Sequence, residues 1–241
     1  MIRNIDILAF GAHPDDVELS CSGTLLKQKA LGNTIGIIDL TKGELGSRGT
    51  PEKRAKEARK SSEILGLDVR ENLGLPDGFF EENEETLKLI IRVIRKYKPS
   101  IILANAPSDR HPDHGRASQL MRRACFLSGL VKIKTEINGN EQVPHRPENI
   151  YFYIQDRNIG ADFVVDITGY FDKKMECILA FDSQFYSENS EEPRTPISGK
   201  EFLKFIESRS REFGRCIHTE FGEGFITEKG CLGVNDLKHL I

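Results

Sequence analysis

The chain has 241 residues, of which 38% are hydrophobic and 29% are charged, and its formal net charge is −3. Length and composition are ordinary for a soluble globular protein with a buried core. The slight acidic surplus argues against a nucleic-acid partner, which usually binds a basic stripe. The first apolar run is too short for a signal peptide or a membrane span. We therefore expect a cytoplasmic protein with no membrane partner.

The first half of the chain alternates strand and helix patterns. Strands are predicted at 5–10, 34–40, 68–72 and 100–105, and helices at 17–31, 51–65, 84–97 and 114–127. Gly32 and Gly66 follow the first two helices and Pro99 follows the third, which is typical of helix ends. This alternation predicts an α/β fold with βαβ units and a mostly parallel sheet flanked by helices.

The second half has a weaker pattern. Strands are predicted at 150–154 and 163–167, helices at 171–181 and 199–213, and a surface loop at 187–198. No linker or internal repeat divides the chain, so we expect one domain over residues 1–241. The five scattered cysteines are expected to be free thiols that mostly pack: Cys21, Cys125, Cys177, Cys216 and Cys231.

Three polar clusters follow predicted strands. Residues 12–16 read Ala-His-Pro-Asp-Asp, residues 41–44 read Thr-Lys-Gly-Glu, and residues 109–114 read Asp-Arg-His-Pro-Asp-His. In open parallel sheets, ligands bind outside the carboxyl ends of the strands. The three clusters therefore predict one site at this edge of the sheet.

Histidines and aspartates in these clusters are typical of a catalytic zinc site. Two histidines and one carboxylate leave the fourth zinc position open for water, which the metal activates towards a carbonyl. A second carboxylate is needed to take the water's proton, and Asp15 and Asp16 supply adjacent carboxylates for the two roles. His111 and His114 can face the same cavity, and Asp113 can orient one of them.

Each histidine motif has a structural alternative. The first is also typical of a turn with an N-capping aspartate, and the second of a surface turn. Their joint occurrence at one predicted sheet edge, in a chain with only 6 histidines, favours a functional site.

The two motifs together resemble those of the PIG-L/LmbE-like zinc deacetylases, which act on N-acetylglucosamine conjugates. Residues 70–78, 220–225 and 232–234 resemble the bacillithiol-biosynthesis branch of that family, whose implied substrate is N-acetylglucosaminyl L-malate. The resemblance implies a Rossmann-like fold with the active site at the C-terminal edge of the strands. It also implies a small-molecule sugar conjugate as partner and, by analogy alone, a symmetric homo-oligomer.

Residue roles follow from the resemblance. It implies that one zinc ion, with Fe²⁺ as the alternative metal, is bound by His13, Asp16 and His114. Asp15 would be the general base. His111 would protonate the leaving amine or stabilise the oxyanion, with Asp113 paired to it.

Substrate contacts are also implied. Arg54 occupies the place of a family arginine that contacts the substrate, and Glu44, Arg110 and Arg48 are further pocket candidates. If the substrate carries malate carboxylates, Arg54 and Arg110 are the cations expected to bind them. Cys21 departs from the family, whose members usually carry glycines nearby. The sequence leaves two places open for it, one near the metal and one in the core.

Three other functions compete with this interpretation. A zinc amidase of the same fold would act on another N-acyl sugar or thiol conjugate. A phosphoester hydrolase would often need two metals about 4 Å apart. A nucleotide-binding Rossmann module is disfavoured, because the first strand is followed by His-Pro-Asp-Asp and not by a glycine-rich phosphate loop.

Overall fold

A computed structural model describes residues 4–188 and 190–233. Val234, the last residue of one stretch used for the branch assignment, lies outside the described residues, as do both ends of the expected domain. The strands are β1 (Ile7–Gly11), β2 (Ile35–Thr41), β3 (Val69–Leu75), β4 (Ile101–Asn105), β5 (Glu136–Ile137), β6 (Asn140–Glu141), β7 (Asn149–Tyr153), β8 (Phe163–Asp166) and β9 (Gly222–Thr227). The helices are α1 (Asp16–Ala30), α2 (Pro51–Leu65), α3 (Glu84–Tyr97), α4 (Pro112–Ser128), α5 (Phe171–Leu179) and α6 (Lys200–Cys216), with a 3-10 turn at Thr168–Tyr170.

Seven strands form one central sheet in the order β3-β2-β1-β4-β7-β9-β8. The pairs β1–β2, β2–β3, β1–β4 and β4–β7 are parallel, whereas β9 runs antiparallel to both β7 and β8. The strand order reverses beside β1, between β2 and β4, which is where such sheets open a ligand crevice. The predicted α/β fold with a mostly parallel sheet is confirmed.

The sheet has an apolar core on each face. Alternate residues of β1 point to opposite sides, so Leu8 and Phe10 join a cluster with α3 and α4, while Ile7 and Ala9 join one with α1. All residues of β1 and β2 are buried, as expected for central parallel strands covered on both faces.

Strand β9 was not predicted from the sequence. Two glycines in the run Gly222-Glu223-Gly224 weaken its strand pattern. The structure explains Gly224, because a Cβ there would lie 2.6 Å from the Phe213 ring of α6. The short β5–β6 hairpin was also missed, although its Asn138-Gly139 turn, with positive φ at both residues, is a recognised hairpin signal.

Helix α1 is broken at Cys21, whose φ of −142° is not helical. A buried ion pair lies at the break. The backbone N–H groups of Gly23 and Thr24 donate to the Glu223 carboxylate at 3.0 and 2.7 Å. Lys174 donates to that carboxylate at 2.6 Å and to the carbonyl of Leu19 at 2.9 Å. Glu223 thus caps the second segment of the helix, and Lys174 caps the first.

The cysteines are all free thiols. Cys21, Cys125 and Cys177 are buried and Cys216 and Cys231 are exposed, so three of the five pack as expected. Cys21 is part of α1 and packs into the core, and burial, followed by the charge of Glu223, raises its thiol pKa well above the ordinary value. These surroundings favour the packing role over an oxidisable thiolate.

Among the described residues, no helix is long and apolar enough to cross a membrane.

Candidate active site

A cavity of about 510 Å³ opens at the carboxyl ends of the central strands. Residues of the first and third polar clusters line it, whereas the second cluster, 41–44, contributes no lining residue and is followed by the lining residues 45–48. Of the nine residues predicted for the site, seven line the cavity: His13, Asp15, Asp16, Arg54, Arg110, His111 and His114. The convergence expected from the strand ends is therefore present for two of the three clusters.

Asp16 lies between two histidines at the start of α1. One of its carboxylate oxygens is 3.1 Å from Nε2 of His114, and the other is 3.6 Å from Nδ1 of His13. The backbone N–H of His13 and the side-chain amides of Asn105 and Gln155 donate to the same carboxylate. Burial opposes ionisation of Asp16, but His114 and His13 outweigh it and hold the pKa of Asp16 well below its usual range.

A second carboxylate holds the far ring nitrogen of each histidine. Asp77 is 3.0 Å from Nε2 of His13, and Asp109 is 2.6 Å from Nδ1 of His114. Each imidazole is thereby fixed with its other nitrogen towards Asp16. Carboxylate–histidine pairs of this kind orient the ligands of metal sites.

Electrostatics at this cluster favour a divalent cation. Five aspartates lie around the histidines: Asp15, Asp16, Asp77, Asp109 and Asp113. Two of them pair with arginines, Asp15 with Arg54 and Asp113 with Arg116. Burial lowers the pKa of both histidines, but the carboxylates outweigh it. They raise the pKa of His114 to about 9 and that of His13 well above its ordinary value. A site that draws protons onto two buried histidines also attracts a metal cation.

The described residues contain two groups of potential metal ligands. Within each group, the atoms that could bind a metal all lie within 4.8 Å of one another. One comprises His13, His111 and His114, and the other comprises His13, Asp77 and Asp113. Asp16 belongs to neither group, although its two carboxylate oxygens face His13 and His114 at 3.6 and 3.1 Å. Imidazole nitrogens and a carboxylate are the donor set that catalytic zinc prefers, so the residues present fit the predicted metal.

Asp15 adopts a strained backbone next to this cluster. Its φ of 132° is in the region that favours glycine, a conformation that typically marks functional sites. It precedes the first residue of α1, yet its side chain makes no capping hydrogen bond, which rules out the simple N-cap interpretation. Burial raises the pKa of Asp15 to about 7, opposed by the charge of Arg54, whose Nη2 is 3.4 Å away.

His111 caps the start of α4. Its Nδ1 accepts the backbone N–H of Asp113 at 3.3 Å, so the neutral ring carries its proton on Nε2. Burial lowers the pKa of His111, and the charges of His13 and His114 lower it further. The ring is therefore a neutral hydrogen-bond donor at the cavity wall.

The Asp113 carboxylate is not paired with His111, which corrects the sequence prediction. It lies 3.4 Å from Nε2 of His13, accepts the backbone N–H of Gly78 at 2.9 Å and pairs with Arg116 at 2.7 Å. The first turn of α4 directs this side chain inwards beneath His13, so only its backbone reaches His111.

Arg54 is buried at the cavity wall. Its Nη2 donates to the Gln184 side chain at 2.5 Å and faces Asp15, while its Nε has no hydrogen-bond partner. Gly43 makes room for it, because a Cβ at that residue would lie 1.9 Å from Nη1 of Arg54. Gly43 also has a φ of +65°, so both the turn and the close approach require glycine.

The other pocket candidates have different places. Glu44 does not line the cavity, contrary to the sequence prediction, because its carboxylate accepts the backbone N–H groups of Asp77 and Lys42. Arg110 lies at the exposed rim and pairs with Asp156 at 3.2 Å. Arg48 lines the cavity, but its guanidinium binds the segment at 183–193.

Several site residues were missed in the sequence. Asp77 is 64 positions from the histidine that it contacts, and Gln155 is 139 positions from Asp16, so no local pattern reveals them. Asp109 offered a signal, since it opens the third polar cluster five residues before His114. Gln184 and Arg209 lie in weakly patterned sequence but line the cavity.

Comparison with known proteins identifies the family. The PIG-L family model, described as GlcNAc-PI de-N-acetylase, matches residues 8–125. The conserved protein TT1542 from Thermus thermophilus has a similar crystal structure, with a TM-score of 0.84 and 36% identity. The similarity covers 96% of this chain and 98% of that chain.

Three of the curated relatives carry different names. Diacetylchitobiose deacetylase of Thermococcus kodakarensis is 29% identical over 191 residues, which are 74% of this chain and 70% of that protein. A probable N-acetyl-α-D-glucosaminyl L-malate deacetylase 2 of Bacillus anthracis is 24% identical over 204 residues, 77% of this chain and 84% of that protein. The 4-oxalmesaconate hydratase of Pseudomonas putida is 25% identical over 196 residues, 73% of each chain. The chain belongs to the PIG-L family and, as the sequence predicted, is an enzyme of its deacetylase class.

Proposed function

We propose that this enzyme hydrolyses the N-acetyl group of an N-acetylglucosamine conjugate, specifically N-acetylglucosaminyl L-malate in bacillithiol biosynthesis. The reaction takes place at one zinc ion held by His13, Asp16 and His114. One observation carries the proposal: each histidine turns one nitrogen to Asp16 while a separate carboxylate holds the other. The match to the Bacillus anthracis relative over 84% of its length supports the substrate.

Asp15 is the general base of the proposed reaction. A zinc ion, when bound, polarises the amide carbonyl and lowers the pKa of the attacking water. Asp15 is buried beside Asp16, and its side chain makes no capping hydrogen bond, so its carboxylate is available to take the water's proton. Arg54, 3.4 Å away, fixes its direction and stays within reach of the substrate.

His111 stabilises the oxyanion in this proposal. Its Nδ1 is occupied as an acceptor, so the proton on Nε2 can be shared with a developing negative oxygen. Full transfer of that proton to the leaving amine would produce an unfavourable imidazolate. The proton that Asp15 removes from water is therefore the one delivered to the amine. Asp77 and Asp113 orient His13, and Asp109 orients His114.

Other sequence predictions stay predictions. They are a single domain over residues 1–241, a cytoplasmic location, a symmetric homo-oligomer, and substrate binding by Arg54 and Arg110. Zinc is preferred to Fe²⁺ on the donor set alone. Another N-acyl sugar or thiol conjugate is the alternative substrate.

Release of primary amine tests the proposal. Zinc-loaded protein is assayed with N-acetylglucosaminyl L-malate, N-acetylglucosamine and N,N′-diacetylchitobiose, and metal-stripped protein is the control. We expect metal-dependent amine release that is fastest with the malate conjugate. Faster turnover of diacetylchitobiose would overturn the substrate assignment. No amine from any acetylated sugar would overturn the deacetylation itself, since a hydratase reaction releases none.

A further inference from the structure

Arg209 lines the active-site cavity from helix α6. The segment Thr195–Ile197 and Phe202 line the same part of the wall, and none of these residues belongs to the predicted catalytic set. Arg209 therefore places a cationic side chain at the cavity wall outside the predicted catalytic set.

The Arg209 guanidinium is poorly satisfied by the protein. Its Nη2 donates to the carbonyl of Leu19 at 3.4 Å, and its guanidinium carbon lies 5.1 Å from the centre of the Phe205 ring. Within residues 4–188 and 190–233, no carboxylate forms an ion pair with it.

The other arginines of the cavity are each held by a carboxylate or by several protein oxygens, although Nε of Arg54 has no partner. Arg54 binds Gln184 and faces Asp15, Arg110 pairs with Asp156, and Arg48 donates to the chain at 183–193. Arg209 thus keeps donor capacity that an incoming anion can use.

Burial makes that spare capacity significant. Burial lowers the pKa of Arg209 to about 10, opposed by the more distant charges of Asp156, Asp109 and Glu223. Arg209 is half-buried, and a cation that has lost part of its hydration and gained no carboxylate partner is stabilised when an anion enters. Guanidinium groups bind carboxylate and phosphate oxygens with particular strength.

Arg209 contacts α1 one helical turn after the general base. The backbone N–H of Leu19 donates to the carbonyl of Asp15, so the Leu19 carbonyl that Arg209 contacts is one helical turn, about 6 Å, beyond the general base. On N-acetylglucosamine, the carbon next to the one bearing the acetamide carries the aglycone.

We propose that Arg209 binds an anionic group, a carboxylate or a phosphate, on the aglycone and so selects acidic N-acetylglucosamine conjugates over neutral ones. This inference rests on the proposed deacetylation. It assigns to α6 the binding of the aglycone anion that was expected of Arg54 and Arg110 on charge grounds, and it leaves their other substrate contacts as predictions.

Steady-state kinetics with matched substrates test this role. The probes are N-acetylglucosaminyl L-malate, N-acetylglucosamine 1-phosphate and the neutral methyl α-glycoside of N-acetylglucosamine. In Arg209→Met, we expect kcat/KM for the preferred anionic probe to fall about 10- to 100-fold more than for the neutral glycoside, mostly through KM. Arg209→Lys should recover part of the loss, and the probe with the larger loss identifies carboxylate or phosphate.

Arg215→Met is the matched control, because it removes one positive charge from the exposed last turn of the same helix. It should leave the ratio between anionic and neutral substrates unchanged. Equal losses on all three probes in Arg209→Met, through kcat, would show a structural role at Leu19 and overturn the inference. Failure of the wild-type enzyme to release amine from any probe would instead overturn the proposed function.

Discussion

Lys174 is the residue whose replacement tests the broken helix α1 most directly. Its side chain and that of its partner Glu223 are 1% and 2% exposed. Lys174→Met keeps much of the apolar stem but leaves the carboxylate without its cation. Removing one partner of a buried ion pair costs about 3–5 kcal/mol. Because Gly23 and Thr24 still donate to Glu223, we expect the lower end, a fall of about 3 kcal/mol in the free energy of unfolding.

Urea unfolding at neutral pH measures this loss as a change in the free energy of unfolding. Thermal unfolding measures it as a change in melting temperature. For a chain of this length, each kcal/mol lowers the melting temperature by about 2–4 °C, so Lys174→Met should melt about 6–12 °C lower. Lys173→Met, at the exposed neighbouring position, should stay within about 0.5 kcal/mol of the wild type.

A double variant isolates the pair itself. Lys174→Met combined with Glu223→Gln removes both charges, so it should be more stable than the sum of the two single losses predicts, by about 1–3 kcal/mol. A Lys174→Met protein as stable as the Lys173→Met control would refute the reasoning. It would show that the hydrogen bonds from Gly23 and Thr24 alone satisfy Glu223.

Three further predictions concern the active site. Asp15→Asn should retain zinc while kcat falls about 10²- to 10⁴-fold, whereas His13→Ala should lose both metal and activity; full zinc content in purified His13→Ala would disprove the ligand assignment. Asp109→Asn should weaken zinc binding about 10- to 100-fold in a competitive chelator titration, and unchanged affinity would show that Asp109 does not orient His114. Gly43→Ala should displace Arg54 and lower kcat with zinc content intact, and wild-type kcat would show that Asp15 needs no contact from Arg54.

Much of the fold could be predicted because its signals are local. The strand before His13 is a short apolar run, and α2 begins at Pro51 and ends before Gly66, so neighbouring residues define both elements. The site's position followed from a topological rule, since the polar clusters come at strand ends. Strand β9 was missed because its glycines are required by the close approach of Phe213, which only the tertiary structure brings there.

The roles within the site depend on contacts between distant segments. Asp113 adjoins a histidine in sequence, but the turn of α4 directs its carboxylate to His13. Asp77 reaches the same ring from the loop after β3. The positive φ of Asp15 is a further example, because nothing in its sequence neighbours requires a glycine-like backbone there. Metal-ligand motifs can therefore be recognised locally, whereas the residues that orient the ligands cannot.

A zinc titration of metal-stripped protein tests the central claim most directly, with amine release from N-acetylglucosaminyl L-malate and bound zinc measured at each step. The account predicts no activity without metal and a linear rise that ends at one zinc per chain. Activity that persists in the stripped protein would contradict it. A plateau at two zinc ions per chain would also contradict it, and would point to joint use of both potential metal-binding groups around His13.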